Sequence, residues 1–231
     1  MPKQGKKYRA AAEKIDTQRK YPLDEAVKLV KETSVTKFDS SVEIHIKLDI
    51  DTSKADQVLR STVSLPHGTG KSVRVVAFVE DAQQKEALEA GAIKAGSDEL
   101  IEEVNKGWLD FDVAVAHPET MKKLGKIART LGQKGLMPNP KAGTISTDIA
   151  KTIKEVTKGK VEFRNDKHGN LHNMIGKVSF GEDQLKENIQ AYMKAILAAR
   201  PGGVKGAYVS SITLATTMGP GIHLEASAFT R

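Results

Sequence analysis

Chemistry in this chain would have to come from six histidines, from a glycine–lysine run or from neighbouring carboxylates, because the sequence contains no cysteine. The histidines are His45, His67, His117, His168, His172 and His223. His168 and His172 are four apart, yet they flank a turn instead of sharing a helix face, so they do not make an HExxH-type ligand pair. No metal is expected. The run GTGKS at 68–72 invites a phosphate-loop reading, but that motif needs a glycine at position 65, where Leu65 stands, and a strand in front of it. A flexible interdomain connector is the favoured reading. The turn after Val79 reads EDAQQKE, without the glycines of a dinucleotide fingerprint. No GxSxG elbow occurs, and Glu102 and Glu103 are neighbours on an acidic helix, where solvation is the ordinary explanation. Catalysis has no support in these residues, and no cofactor is expected.

Three loops are less ordinary. TKFDSS at 36–41 sets Phe38 on a polar stretch beside Lys37, where the ring could cover a ribose or base while the lysine meets a phosphate. A plain core phenylalanine is the other reading. TTMGPG at 216–221 combines glycines that let a backbone approach a ligand with the Thr217 hydroxyl and the soft apolar Met218. LGQKGLMPNPKAGT at 131–144 packs three glycines, two prolines and two lysines into one loop. That loop reads equally well as a functional element or as a structural cap on its domain.

Elements must hold these loops in place. Pro22 opens PLDEAVKLVKET, a helix with Ala26, Val27, Leu29 and Val30 on one side and Asp24 and Glu25 near its positive end. VEIHIKL at 42–48 alternates at period two, giving a strand with one buried and one wet face. From Val73 the texture changes to VRVVAFV and then DVAVA, near-continuous apolar runs separated by helical stretches, as in parallel strands covered on both sides. After Gly159 alternation returns in VEFR and LHNMIGKVSF around the turn NDKHGN, a hairpin, followed by a helix over 182–199 and a last strand over 207–214. The two outer pieces each look like half of one α+β sandwich. The expected organisation is a discontinuous domain of residues 1–67 and 159–231, with an α/β domain of residues 68–158 inserted.

Charge follows the same division. Of the formal net charge of +7, residues 1–67 and 159–231 carry +6, which favours an anionic partner. Residues 1–20 form a basic arm (Lys3, Lys6, Lys7, Arg9, Lys14, Arg19 and Lys20) that reads as a solvated tail. Within the middle, residues 80–112 hold 10 acids against 3 bases, and residues 113–158 hold 9 bases against 3 acids. The absent cysteines suit a reducing compartment, with the cytosol expected. No apolar run approaches the ~20 residues of a membrane-spanning helix, so neither a membrane span nor a secretory signal is expected.

Taken in order, KFDSSVEIHIKL, VSLPHGTGKSVRVVAF, GWLDFDVAVAHPE, LGQKGLMPNPKAGT, VEFRNDKHGNLH, IGKVSF and TTMGPG resemble the bacterial large-subunit ribosomal protein L-one family, the universal ribosomal stalk proteins. The likeness runs from Lys6 to Phe229. It implies an α+β split domain, an antiparallel sheet with helices on one face, and an inserted Rossmann-like α/β domain. It also implies binding to the stalk helices of large-subunit ribosomal RNA, assistance to deacylated tRNA leaving the exit site, and repression of the protein's own operon through its messenger RNA. The free protein is expected to be a monomer, cytoplasmic and within the large subunit, and not an enzyme. Residue by residue, the resemblance places RNA contact on Lys37, Phe38, Ser40, Ser41 and Glu43, on Asp166, Lys167 and His168, on Ser211, and on Thr217, Met218 and Gly219. Gln133 and Lys134 stand where the family has proline and arginine, so the loop from Gly132 to Gly143 stays outside that set. Two rival readings are a nucleotide-dependent enzyme built on the middle domain and a repressor that acts on messenger RNA alone.

Overall fold

A computed structural model describes residues 5–54, 56–204 and 206–229, apart from the side chain of Ala228. The N-terminal stretch gives α1 (Lys6–Ala12), α2 (Leu23–Glu32), β1 (Ser41–Leu48) and β2 (Arg60–Ser64). The middle gives β3 (Val75–Phe78), α3 (Asp81–Glu89), β4 (Lys94–Gly96), α4 (Asp98–Asn105), β5 (Val113–Ala116), α5 (Met121–Leu124), α6 (Ala128–Gln133) and α7 (Ile149–Thr157). The C-terminal stretch gives β6 (Lys160–Arg164), β7 (Asn170–Lys177), α8 (Glu182–Ala198), β8 (Val209–Thr216) and β9 (Ile222–Leu224). The chain folds as two compact units, residues 1–70 with 161–231, and residues 71–160. The four-stranded sheet of the first unit is antiparallel, and the sheet of the second unit is parallel.

In the first unit β1 lies between β7 and β8, in a four-stranded sheet of order β7-β1-β8-β9. Alternation in VEIHIKL decides its two sides. Val42, Ile44, Ile46 and Leu48 are buried and join Ile212, Leu214 and Leu171 in one core with residues of α2 and α8. Pro22 caps α2, whose Ala26, Val27 and Val30 are fully buried, and Asp24 on α2 meets Lys186 on α8 at 2.6 Å. The short strands β2 and β6 pair separately, with Arg60 bound to Glu162. The connector that follows β2 is fastened. Asn188, buried in α8, accepts from the His67 amide at 3.0 Å and donates to the Gly68 carbonyl at 2.9 Å.

The basic arm is more than a solvated tail. Its residues 6–12 are helical with Ala11 buried, and Ile15 and Tyr21 enter the core, so a few apolar side chains dock a segment whose charges dominate the sequence. Lys3 lies outside the described residues.

In the second unit β3 pairs in parallel with β4 and β5, and every residue of β3 is buried. Val76 and Phe78 face one core with α4, while Val75, Ala77 and Val79 face another with α7, which explains an apolar run without alternation. After Pro118 the chain forms no single long helix but three short pieces, α5, a 3-10 turn at Gly125–Ile127 and α6. Gly125 weakens helix continuity there. The loop after α6 closes this unit. The Asn139 side chain accepts from the Lys141 amide at 2.8 Å, the Thr144 carbonyl accepts from the Ala116 amide at 2.9 Å, and Leu136 and Met137 pack on the core.

Candidate nucleic-acid interface

The wet side of β1 carries Ser41, Glu43, His45 and Lys47. Register then decides their neighbours: Glu43 lies opposite Ala215, His45 opposite Thr213 and Lys47 opposite Ser211 on β8. On β7, Glu43 lies opposite Met174, His45 opposite His172 and Lys47 opposite Asn170. Residues expected to work together therefore fall at the two ends of one strand face, ~20 Å apart at a rise of roughly 3.3 Å per residue.

One end joins the two halves of the sequence. The Thr217 amide donates to the Ser41 carbonyl at 3.0 Å, and the Ser41 amide donates to Thr217 Oγ1 at 3.1 Å. Both bonds hold the first residue of β1, next to the segment that leads into it. Asp39 accepts from the amide and hydroxyl of Ser179 at 3.0 and 2.8 Å, while the Ser40 carbonyl accepts from the Val178 amide at 3.0 Å. With its neighbours pinned, Phe38 stands 62% exposed, and Lys37 beside it is exposed too. The core reading of Phe38 is thereby excluded. Ser40 needs a correction: it is fully buried, with its hydroxyl 3.0 Å from that of Ser34, so it steadies the segment from inside and presents nothing to a partner.

Met218 follows with the same logic. It is 75% exposed and is the one non-glycine with positive φ, +64°, among the described residues. Holding a methionine there costs backbone energy, and the turn around it enforces the strain. The Gly219 amide donates to the Thr216 carbonyl at 2.8 Å, and a Cβ on Gly219 would lie 2.2 Å from Thr216 Oγ1. A side chain at position 219 would collide with the Thr216 hydroxyl.

The other end of the face is the β6–β7 turn. Asp166 Oδ1 accepts from the amides of His168 and Asn170 at 2.8 and 2.7 Å, and Oδ2 accepts from Asn170 Nδ2 at 2.9 Å. Those bonds, led by the Asn170 amide, hold its carboxyl well below the usual carboxylate range. Asp166 therefore builds the turn as its first duty. Lys167 and His168 are exposed, and their carbonyls are held by Thr52 Oγ1 at 2.7 Å and by Lys47 Nζ. Ser211, exposed on β8, lies opposite Lys47 and so joins this end.

Between the two ends stands a pair that the sequence reading did not single out. His45 Nδ1 and His172 Nδ1 are 2.9 Å apart, with His45 Nε2 3.7 Å from Glu43 and His172 Nε2 3.7 Å from Asp166. One ring donates and the other accepts. Burial, then the charge of His172, pulls the His45 pKa down, against a smaller upward pull from Glu43. The signal was present in VEIHIKL, where His45 occupies a wet position of the strand. Lys177 was missed as well. It reaches Ser41 Oγ at 3.3 Å and the Asp39 carbonyl at 3.4 Å.

No group of three or more histidine, aspartate or glutamate side chains among the described residues could hold a metal ion. At the carboxyl ends of β3 and β4, where α/β folds bind anionic ligands, a cleft of about 620 Å³ is lined by Glu80, Asp81, Asp98 and Glu99 with Lys123. Lys123 is bound to Asp98 at 2.8 Å. Four carboxylates against one neutralised lysine repel a nucleotide's phosphates. Glu102 and Glu103 face Lys106 and Lys94 on an exposed surface and are not a paired acid–base site. No helix among the described residues is long and apolar enough to cross a membrane.

Comparison with known proteins gives a consistent result. The model of the ribosomal protein L1p/L10e family matches residues 30–220. The large ribosomal subunit protein uL1 of Chloroflexus aggregans is 55% identical over 228 residues, covering 97% of this chain and 96% of that protein. Its counterpart in Fervidobacterium nodosum is 52% identical over 226 residues, with 97% and 96% covered, and that of Thermobifida fusca 51% over 226 residues, with 98% and 96% covered.

Proposed function

Because this chain belongs to the ribosomal protein L1p/L10e family, we propose that it is a cytoplasmic constituent of the large ribosomal subunit that binds the stalk region of large-subunit ribosomal RNA. The unit made of residues 1–70 and 161–231 supplies the RNA surface, and the Rossmann-like α/β unit rides with it. The observation that carries this reading is the Ser41–Thr217 clasp, which fixes exposed Phe38 and Met218 beside one another's segments at the end of an open, polar sheet face. Exposed apolar side chains of that kind suit ribose and base surfaces, and the hydroxyls and carboxylates along β1 suit 2′-hydroxyl groups. Lys37, Phe38, Ser41, Glu43, Thr217, Met218 and Gly219 meet the RNA at one end of the face, and Lys167, His168 and Ser211 at the other, with Asp166 shaping the turn. Exposed lysines add a salt-sensitive attraction.

Two further roles belong to the same surface. Movement of the bound stalk assists the release of deacylated tRNA from the exit site, and a messenger RNA that mimics the stalk lets the protein repress its own operon. Neither needs catalysis.

Filter binding of the full chain to the stalk RNA tests the reading, together with co-sedimentation on sucrose gradients. Submicromolar, salt-sensitive binding and presence in purified large subunits are expected. A chain that binds its messenger but is missing from large subunits would act as a repressor alone. Saturable nucleotide binding by calorimetry, without RNA affinity, would instead favour an enzyme built on the α/β unit.

A further inference from the structure

Beside Met218 lies a second feature that the sheet face does not use. Gly5, Lys7 and Tyr8 of the N-terminal segment, Val35 and Met218 line an open cleft of about 420 Å³ whose wall is almost wholly apolar. That volume falls in the range of roughly 300–1,000 Å³ typical of pockets for small organic groups. The strained backbone of Met218 fixes one wall, and the half-buried Tyr8 supplies an aromatic ring. Lys7 at the rim is exposed, as are Lys6 and Arg9 next to it. An aromatic ring, a thioether and a branched aliphatic with the Lys7 cation among them suit a flat, apolar, anion-linked group.

We propose that this cleft receives one unstacked nucleobase of the bound RNA, with Tyr8 stacking on the base and Lys7 meeting its phosphate. The proposal rests on the RNA reading of the adjoining sheet face and extends it to α1. Continuity favours a nucleotide over a protein side chain as occupant. Met218 belongs both to the cleft and to the loop clasped to Ser41, so RNA on the face runs directly past the opening. The charge agrees, since the Lys7 cation at the opening favours an anionic neighbour. The basic arm thus acquires a purpose beyond general attraction.

The test uses the full chain and the stalk RNA, with each unpaired base replaced in turn by an abasic site. Tyr8→Ala is expected to weaken binding roughly 5- to 150-fold, the range for losing one stacked base, and Tyr8→Phe to bind within about twofold of the parent. One abasic position should weaken the parent protein and cost Tyr8→Ala nothing further. Tyr8→Leu keeps the apolar volume and the fold but lacks the ring, so it should behave as Tyr8→Ala does. Parent-like affinity in Tyr8→Leu, or no abasic position coupled to Tyr8 while the parent binds tightly, would overturn the proposal and leave the sheet-face reading standing. A parent chain that does not bind the stalk RNA overturns both.

Discussion

His45 and His172 meet ring to ring across β1 and β7, Nδ1 to Nδ1 at 2.9 Å, in the middle of the face that lies between Phe38 and His168. The contact accommodates a neutral pair or a single positive charge. Two charged rings would set one N–H against the other.

The first prediction concerns pH. The folded pKa of His45 lies below its ordinary value of 6.5, so the unfolded chain binds this proton more readily. Stability from this group is therefore complete above pH 6.5 and falls as pH drops through 6.5 toward the folded pKa. RNA acts in the opposite sense. Phosphates facing the pair, which otherwise sees Glu43, Asp166 and Lys47, favour the proton, so affinity should rise by up to about tenfold per pH unit for each proton taken up. Filter binding between pH 8 and 6 and urea unfolding over the same range check both signs. In His45→Gln/His172→Gln the affinity trend should flatten.

A second prediction tests the clasp. Thr217→Val keeps the shape of the side chain but leaves the Ser41 amide without its acceptor at 3.1 Å. The expected loss is about 1 kcal/mol of stability by urea unfolding, with weaker RNA binding as the Phe38 segment loosens. Thr217→Ser, which restores an acceptor oxygen, should recover most of both.

A third prediction follows from the turn. Gly219→Ala would drive a Cβ to 2.2 Å from Thr216 Oγ1, a hydroxyl that is buried without a hydrogen-bond partner. Overpacking of this kind costs about 1–3 kcal/mol. Removing that hydroxyl costs little because it bonds to nothing, so Thr216→Ala/Gly219→Ala should be more stable than Gly219→Ala alone. Simple additivity of the two substitutions in denaturant titrations would exclude the steric account.

The strongest periodic signals carried through to structure, and the failures have physical causes. VEIHIKL gave the two faces of β1 because burial on one side forces alternation, and VRVVAFV gave a parallel strand because β3 is covered on both. β4 and β9 are three residues each, too short for any period to register. At the interface, Phe38 and Met218 were legible as apolar residues on polar loops. Ser40 was not legible as buried, since a serine whose hydroxyl meets Ser34 reads the same as an exposed one. The His45–His172 contact joins residues 127 apart, and only the β1–β7 register reveals it.

The last prediction separates shape recognition from charge attraction on the same surface. Met218 is 75% exposed, with its backbone set by the turn below it, so Met218→Asp adds a charge facing phosphates without disturbing any core contact. Aspartate also tolerates positive φ better than most residues, which protects the fold. Affinity should fall at every salt concentration, while the urea midpoint stays where it was. Lys37 is exposed and should act differently: Lys37→Gln removes one counterion-releasing contact, costing less affinity and flattening the slope of log affinity against log salt by about one unit. If Met218→Asp binds as the parent does while Lys37→Gln flattens the slope, the RNA is held by diffuse attraction, and the strained, outward-facing methionine has no part in recognising it.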